Sequence, residues 1–489
     1  MIPLSVAEIA SLVSADISLH TALPWAPADP TVSGPVVIDS RQVTPGALFA
    51  ALPGEHVDGH DYAAAAAAAG AAAILAARPL PDVTPTPVIV VPDVTVALGR
   101  LASGVLAKLA RPASPASPVT VIGITGSSGK TSTKDVTAQV LERAGATIAP
   151  ENSLNNELGL PLTVLRADAA TRYLVLEMSA RGIGHIAYLT AIAPPRIGVV
   201  LNVGRAHAGE FGSLDAVAKA KGELVEPLPA AAEPGAASGG VAVLNADDPN
   251  VIAMAARTSA RVVTFSTSGQ ADVQAAGIVL DELGRASFRL LIGGASGHVA
   301  LRLHGAHHVG NALAAAAVAH ELGMDVADIA SALSDATARS KKRMEVHETR
   351  AGVLVVNDAY NANPDSTKAA LAALAHLTGK GKRRRGFAVL GYMAELGDIA
   401  AESHAEAGRL AAEAGATAVI AVGEEAAPVL DGARAAPGWP GEAIGVPGPK
   451  AAIEMLRSRL RPGDVVLVKA SKAAGLWEVA DGLLAEVDQ

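Results

Sequence analysis

The 489 residues carry a formal net charge of −9, half of them are hydrophobic, and none is cysteine. That length suits roughly three domains, and the lack of thiols excludes both a disulfide framework and a thiolate metal site. The scattered Lys and Arg lack the broad basic face of a nucleic-acid binder. No apolar run of about 18 residues has the flanks of a membrane span, and Met1–Ile17 lacks the basic-then-apolar order of a signal peptide. A soluble cytoplasmic protein is expected.

Aromatics make up only 3% of the chain, so cores of Ala, Val, Leu and Ile are expected. The run Ala63–Ala69 reads as helix, since Ala has the highest intrinsic helix propensity. The Pro/Ser-rich stretch Arg111–Pro118 cannot continue a helix and reads as a linker. Beyond it Val119–Thr125, Tyr173–Leu176, Ile197–Asn202 and Val241–Asn245 are short strand-like runs that alternate with helical patterns. That rhythm predicts a parallel sheet flanked by helices. Ala286–Ile292 and His298–Leu303, flanking Gly293–Gly297, predict an antiparallel hairpin added to the sheet.

A second boundary falls near Ala338–Arg343, after which strand–helix alternation restarts with Gly352–Val356, Phe387–Leu390, Ala418–Val422 and Val465–Val468. The one dense basic run, Lys380–Arg385, reads as a solvated loop. The expected fold is α/β with three domains: a small N-terminal α/β domain over 1–112, a central parallel-sheet domain over 113–338, and a C-terminal Rossmann-like domain over 339–489.

Val119–Thr125 runs into Gly126, Ser127, Ser128, Gly129, Lys130, Thr131 and Ser132, and then Val136, Val140, Leu141 and Ala144 recur at helical spacing until Gly145. Strand, glycine loop, Lys-Thr and helix is the order that phosphate binding requires. Backbone N–H groups face the anion, Lys130 supplies a point charge, and Thr131 is placed to ligate Mg²⁺. The strict spacing of the common phosphate loop is not met, because the upstream glycines are Gly123 and Gly126.

In open α/β sheets, ligands bind beyond the carboxyl ends of the strands. Glu177 follows one predicted strand and His207 another, so a carboxylate and an imidazole are expected near the loop, in keeping with a magnesium site. Asp247 and Asp248 follow a third strand, where turn chemistry before Pro249 and a site role are equally open. Lys219 and Lys221 read as surface lysines by spacing alone.

Taken together these segments resemble the Mur ligases over nearly the whole chain. The likeness is carried by Asp39–Arg41, Pro45–Gly46, Leu48–Phe49 and Asp58–His60 in the first block. In the centre it runs through the phosphate loop, Asn155–Pro161, Glu177–Ser179, Asn202–Gly212, Ala220–Glu223 and Asn311–Ala314. Asn357–Pro364 and Leu390–Asp398 complete it, and these two point to the family member that adds D-alanyl-D-alanine to the UDP-N-acetylmuramoyl tripeptide in peptidoglycan precursor synthesis.

The resemblance implies ATP binding along Gly126–Ser132, with Thr131 and Glu177 on one Mg²⁺ and Glu177, His207 and Lys221 on a second, Lys221 being carbamylated. It implies that Asn311 reads adenine, that Arg343 and Asp358 contact the nucleotide from the C-terminal side, and that Ser40, Arg41, Asn155 and Asn156 serve the substrate. Lys130 would neutralise the transferring phosphoryl group as an acyl phosphate forms, with the C-terminal domain closing over the site. A monomer is expected.

Two departures stand out. His307-His308 replaces the usual His-Asn before the adenine segment, and the Asp-Asn-Pro-Arg element of the diaminopimelate-adding relative is absent. The alternatives are a related ligase adding a single amino acid, such as diaminopimelate or lysine, and a nucleotide-binding regulatory protein without catalysis.

Overall fold

The computed structural model describes residues 1–14, 29–54, 57–83, 85–110, 118–204, 208–232, 239–379 and 384–485, and its elements are counted among these. The linker stretch 111–117, His207 and residues 380–383 of the basic run lie outside them. The chain packs as two compact units. One comprises Met1–Gly123, Ala144–Ser179 and Ile186–Ile197, and the other Ile124–Arg143, Ala180–His185 and Gly198–Gln489.

In the first unit, β1 (Leu4–Ser5) pairs antiparallel with β2 (Thr31–Val32). A separate four-stranded sheet runs in the order β3 (Val36–Val37), β4 (Leu48–Ala50), β5 (Ala73–Ala76), β6 (Val88–Val90), parallel throughout. The alanine run forms the helix Ala63–Ala68, as its propensity predicts. Ala63 and Ala66 pack with Phe49, Ile74 and Val83, so small side chains bring helix and sheet close. His60 pins this layer: its Nδ1 meets Asp58 at 2.5 Å and its Nε2 accepts from the Ala77 N–H at 2.9 Å. The same unit holds most of β7 (Thr120–Thr125), with β8 (Thr147–Ile148) parallel to β9 (Tyr173–Glu177).

In the second unit, β10 (Ile197–Val200) is followed in sheet order by β11 (Val241–Asn245), β12 (Arg261–Ser266), β13 (Val273–Leu280), β14 (Arg285–Ile292) and β15 (Ala295–His304). The pairings β11–β12 and β12–β13 are parallel, and β13–β14 and β14–β15 are antiparallel. The predicted hairpin is therefore present, with a tighter turn than expected. Gly293 and Gly294 both take positive φ, which suits a two-residue connection, so β15 already starts at Ala295.

The C-terminal sheet has the order β16 (Glu345–Glu348), β17 (Leu354–Asp358), β21 (Val465–Lys469), β18 (Gly386–Leu390), β19 (Ala418–Val422), β20 (Glu442–Val446). Apart from antiparallel β16 it is parallel. Both faces are covered: Leu371, Leu374 and Ala411 pack on one, and Leu456, Val479 and Ala480 on the other. Burial on two sides explains why these strands are continuous apolar runs rather than alternating ones. Among the described residues no helix is long and apolar enough to cross a membrane.

Candidate active site

The carboxyl end of β7 opens into a loop that only small residues permit. A Cβ on Gly126 would lie 2.9 Å from the Leu201 Cβ, so any side chain there would push β7 away from the segment after β10. Gly129 takes φ +81° as the N-cap of the helix Lys130–Glu142, a conformation that glycine adopts without strain. Asn202 fixes the loop from outside: its Oδ1 accepts from the Ser128 N–H at 2.9 Å and its Nδ2 donates to the Ser128 carbonyl at 3.2 Å. The Ser127 hydroxyl donates to the Gly204 carbonyl at 3.1 Å and accepts from the Gly204 N–H at 2.8 Å. The cradle is thus preorganised, with its helix N-terminus available to an anion.

Lys130 folds back and donates from Nζ to the Gly126 carbonyl at 2.7 Å. Thr131 is buried at the helix start. Lys221, on the helix Leu214–Gly222, is 3% exposed. Burial, and then the charge of Lys130, hold its amine well below the usual lysine range. An ammonium is a poor partner for a cation, but an uncharged buried amine can take up CO₂ and become an anionic oxygen donor. With the Thr131 hydroxyl this gives hard oxygen chemistry, which fits magnesium.

Several predicted residues come together around this loop. The Asn311 Oδ1 stands 2.8 Å from where a Gly129 Cβ would be, and the Asn311 Nδ2 lies 3.3 Å from the His308 Nδ1. Since the amide donates, that imidazole nitrogen is the acceptor. Burial holds His308 well below its ordinary range, with the neighbouring His307 and His304 adding to the effect. From the C-terminal part, the Asn363 Nδ2 donates to the Ser127 carbonyl at 3.3 Å. A Cβ on Gly204 would overlap the Asp365 carboxylate.

Asp358, expected at the nucleotide, is engaged within the C-terminal part. It accepts from the Lys469 Nζ at 2.6 Å and from the Met344 N–H at 3.1 Å. The Arg343 guanidinium lies over the Tyr360 ring at 4.3 Å.

In the first unit Glu177 is 2% exposed and accepts from the Asn155 Nδ2 at 2.7 Å. The Asn156 Oδ1 caps the Gly159 N–H. Arg41 is exposed and paired with Asp39, whose carboxyl it pulls down to about 2, while Ser40 starts the short turn that Asp39 caps. Asp247 and Asp248 show the turn chemistry that the sequence left open. Asp247 accepts from Thr267 N–H and from the Ser266 and Ser268 hydroxyls, and Asp248 accepts from Asn250 and Val203 N–H groups.

Sequence reasoning assigned no role to Asn202, Asn363 or Lys469. Lys469 had a usable signal, because it follows the apolar run Val465–Val468 at a strand's carboxyl end, as Glu177 follows its own. Asn363 stands before Pro364 and caps its helix, a common turn-and-cap pattern that conceals its reach to the loop.

The strand, the left-handed glycine, the folded-back lysine and the buried threonine define a phosphate-loop nucleotide-binding protein on an α/β scaffold. Family models match the chain in three places: the Mur ligase family catalytic domain over residues 35–105, the Mur ligase middle domain over 124–319, and the Mur ligase glutamate ligase domain over 342–472. The chain is 48% identical to the UDP-N-acetylmuramoyl-tripeptide--D-alanyl-D-alanine ligase of Mycobacterium tuberculosis (strain ATCC 25618 / H37Rv), covering 99% of this chain and 98% of that one. It is 33% identical to the Escherichia coli (strain K12) ligase of the same name, over 80% of this chain and 81% of that one. Among solved structures it is similar to MurF from Acinetobacter baumannii, with TM-score 0.83, 29% identity and 99% of each chain covered. It is also similar to the MurF ligase from Thermotoga maritima in complex with ADP, with TM-score 0.77, 28% identity and coverage of 92% of this chain and 97% of that one.

The chain therefore belongs to the Mur ligase family: it is an ATP-dependent ligase with the family's three-domain α/β fold.

Proposed function

We propose that this ligase adds D-alanyl-D-alanine to a UDP-N-acetylmuramoyl tripeptide in the cytoplasm, acting as a monomer. The acceptor and donor are those in the names of its full-length relatives. The observation that carries the chemistry is the burial of Lys221 beside Lys130 at the phosphate loop, an arrangement suited to anions and poor for bare protein.

A free carboxylate does not form a peptide bond, because oxide is a poor leaving group. In the proposed reaction a carboxylate oxygen of the tripeptide attacks the γ-phosphorus of ATP, giving an acyl phosphate and ADP. The dipeptide amine then attacks the acyl carbon, the C–O bond to phosphate breaks, and phosphate and a proton leave. Lys130 neutralises charge on the phosphoryl oxygens. The Gly126–Ser132 backbone orients the polyphosphate, and Asn311 meets the adenine. Arg343 and Asp358 serve the nucleotide side from the C-terminal domain, while Ser40, Arg41, Asn155 and Asn156 serve the UDP-peptide. Asn363 helps to exclude water from the loop.

Two magnesium ions would be held by Thr131, Glu177, His207 and a carbamylated Lys221, and they supply Lewis-acid neutralisation of phosphate charge. The domain limits that go with this reading are 1–112, 113–338 and 339–489.

A phosphate-release assay across UDP-muramoyl peptides and acceptors tests the proposal. Release that depends on both the tripeptide and D-alanyl-D-alanine is expected. Release with a free amino acid, and none with the dipeptide, would overturn it.

A further inference from the structure

Strands β17, β21 and β18 are parallel neighbours, so the segments that follow them leave at one end of the C-terminal sheet. These three segments are wired together. Ser471, after β21, donates from its N–H to the Tyr392 carbonyl at 2.9 Å. Its hydroxyl accepts from the Ala394 N–H at 2.9 Å and donates to the Ala362 carbonyl at 3.3 Å. Ala362 precedes Asn363, whose amide reaches the Ser127 carbonyl of the phosphate loop. Residues 391–398, the loop after β18, therefore border the place where an acyl phosphate would form.

That loop is held in a strained form. Glu395 takes φ of 62°, a left-handed value that a non-glycine residue keeps only where its surroundings hold it, and Gly397 takes 54°. The turn brings the Glu395 carboxylate to 3.6 Å from the Arg181 guanidinium, with side chains 34% and 69% exposed. A carboxylate and a guanidinium side by side, both within reach of solvent, are the charges that a zwitterionic dipeptide needs for its two ends.

An imidazole fixes the middle of the loop. His404 is 1% exposed, on the helix Ala400–Glu413. Its Nε2 accepts from the N–H of the buried Met393 at 2.9 Å, and its Nδ1 lies 2.6 Å from the Ala400 carbonyl. The ring also stacks on Tyr392, with planes 10° apart. Since Nε2 accepts, the ring's proton sits on Nδ1 and is donated to Ala400. Burial holds the ring below the ordinary histidine range, against the pull of the Ala400 carbonyl, so the neutral form is the one kept. One side chain thus joins the loop to the first turn of the next helix. No step of the reaction derived above uses it.

We propose that His404 and Ser471 are positioning residues for the acceptor: together they hold residues 391–398 in the form that receives the dipeptide beside the phosphate loop. The inference rests on the acceptor assigned above and adds which buried groups shape its site.

Two variants of His404 separate the tie from simple filling of space. Glutamine is long enough to bring its amide oxygen to the Nε2 position and keep the Met393 bond, whereas asparagine reaches only the Ala400 carbonyl. Initial rates are measured against D-alanyl-D-alanine at saturating ATP and UDP-muramoyl tripeptide. In a parallel assay hydroxylamine replaces the dipeptide, since it takes the acyl group as a hydroxamate, releases phosphate and needs no seat in the loop. His404→Asn should raise the KM for the dipeptide about tenfold, the scale of one buried hydrogen bond left unmade, with a smaller change in kcat. The KM values for ATP and tripeptide, and the hydroxylamine rate, should stay within about twofold of the parent. Ser471→Ala, which frees the Ala394 N–H, should raise the dipeptide KM about fivefold, and His404→Gln should remain within about twofold. A parent-like dipeptide KM in either His404→Asn or Ser471→Ala overturns the positioning role. So does a rise in His404→Gln as large as in His404→Asn, or a hydroxylamine rate that falls as far as the dipeptide rate. Phosphate release by the parent that ignores the dipeptide is a different result, and it fails the acceptor assignment itself.

Discussion

Among the described residues of the second unit three lysines are buried, and their surroundings differ sharply. Lys134 and Lys469 each face a carboxylate, Asp135 and Asp358. Lys221 is as buried as they are and faces the positive charge of Lys130 instead. A buried charge persists when a partner and hydrogen bonds compensate its lost hydration, and otherwise the group gives up its proton. The first two lysines are therefore fasteners, one at the phosphate-loop helix and one at the end of β21. Lys221 is the buried amine that the proposed reaction uses. Burial is shared by all three, so it is the sign of the neighbour that sets Lys221 apart from the other two.

The largest effect should come from the charge that creates this difference. Lys130→Ala is expected to lower ADP formation about 1,000-fold, since in the proposed reaction it removes the cation that neutralises the transferring phosphoryl group. Thermal melting should stay close to the parent, because the cradle is held by Asn202 and Ser127. Product formation at the parent rate would sink the assignment of the loop.

Lys221→Ala comes next, with a loss of about 100-fold expected from removal of the proposed metal-site donor. The parent should also lose activity in CO₂-depleted buffer and recover it with bicarbonate, whereas the variant should not respond. The pH behaviour has a definite sign. Below the lowered pKa the amine protonates and cannot take up CO₂, so reactivation by bicarbonate should fade on acidification. Between that pKa and the ordinary lysine value of 10.5 the unfolded chain binds the extra proton. The uncarbamylated fold therefore gains stability as pH rises through that window. Bicarbonate reactivation that is equally strong at every pH would count against an uncharged amine.

This contrast also marks where sequence reading stops. The strands β7, β9, β11, β17, β19 and β21 were legible because each is a short β-branched or apolar run bounded by loop residues. β13 was not, since Val273–Leu280 includes two alanines and a glycine and carries a register shift between Ala276 and Val279. Strands of the N-terminal sheet are two to four residues long, too short for any periodicity to show. At the site, Gly126–Ser132 was readable from local order alone, because a glycine loop between strand and helix has few other uses. Lys221 was not, because a lysine in an Ala-Lys-Ala-Lys helix declares nothing about which side it faces. Only the resemblance to the family selected it. Burial then supplied a physical reason.

Breaking one of the fasteners should show first in stability. Lys469→Ala leaves the partly buried Asp358 without its cation, and the expected cost is about 3 kcal/mol, the lower end for a broken buried pair. Removing both charges with Lys469→Met/Asp358→Asn should recover much of that, because no orphaned charge is left behind. If the single variant melts at the parent temperature, the claim that this pair is a fastener fails.

The smallest effect is expected at His308, the position where this chain departs from the family's usual His-Asn. Its Nδ1 accepts from Asn311, a task that an asparagine oxygen can also perform. His308→Asn should therefore change the Kd for ADP by less than about threefold, the scale of one modest hydrogen bond. Its acid behaviour should change more visibly. Burial keeps His308 uncharged in the fold while the unfolded chain protonates near 6.5, so the native protein loses stability as pH falls below that value. Asparagine has no proton to gain, and the variant's stability should fall less steeply between neutral pH and the acid limb. Parallel pH–stability curves for parent and variant would show that His308 takes up its proton in the folded state as readily as in the unfolded one, and that its burial does not keep it neutral.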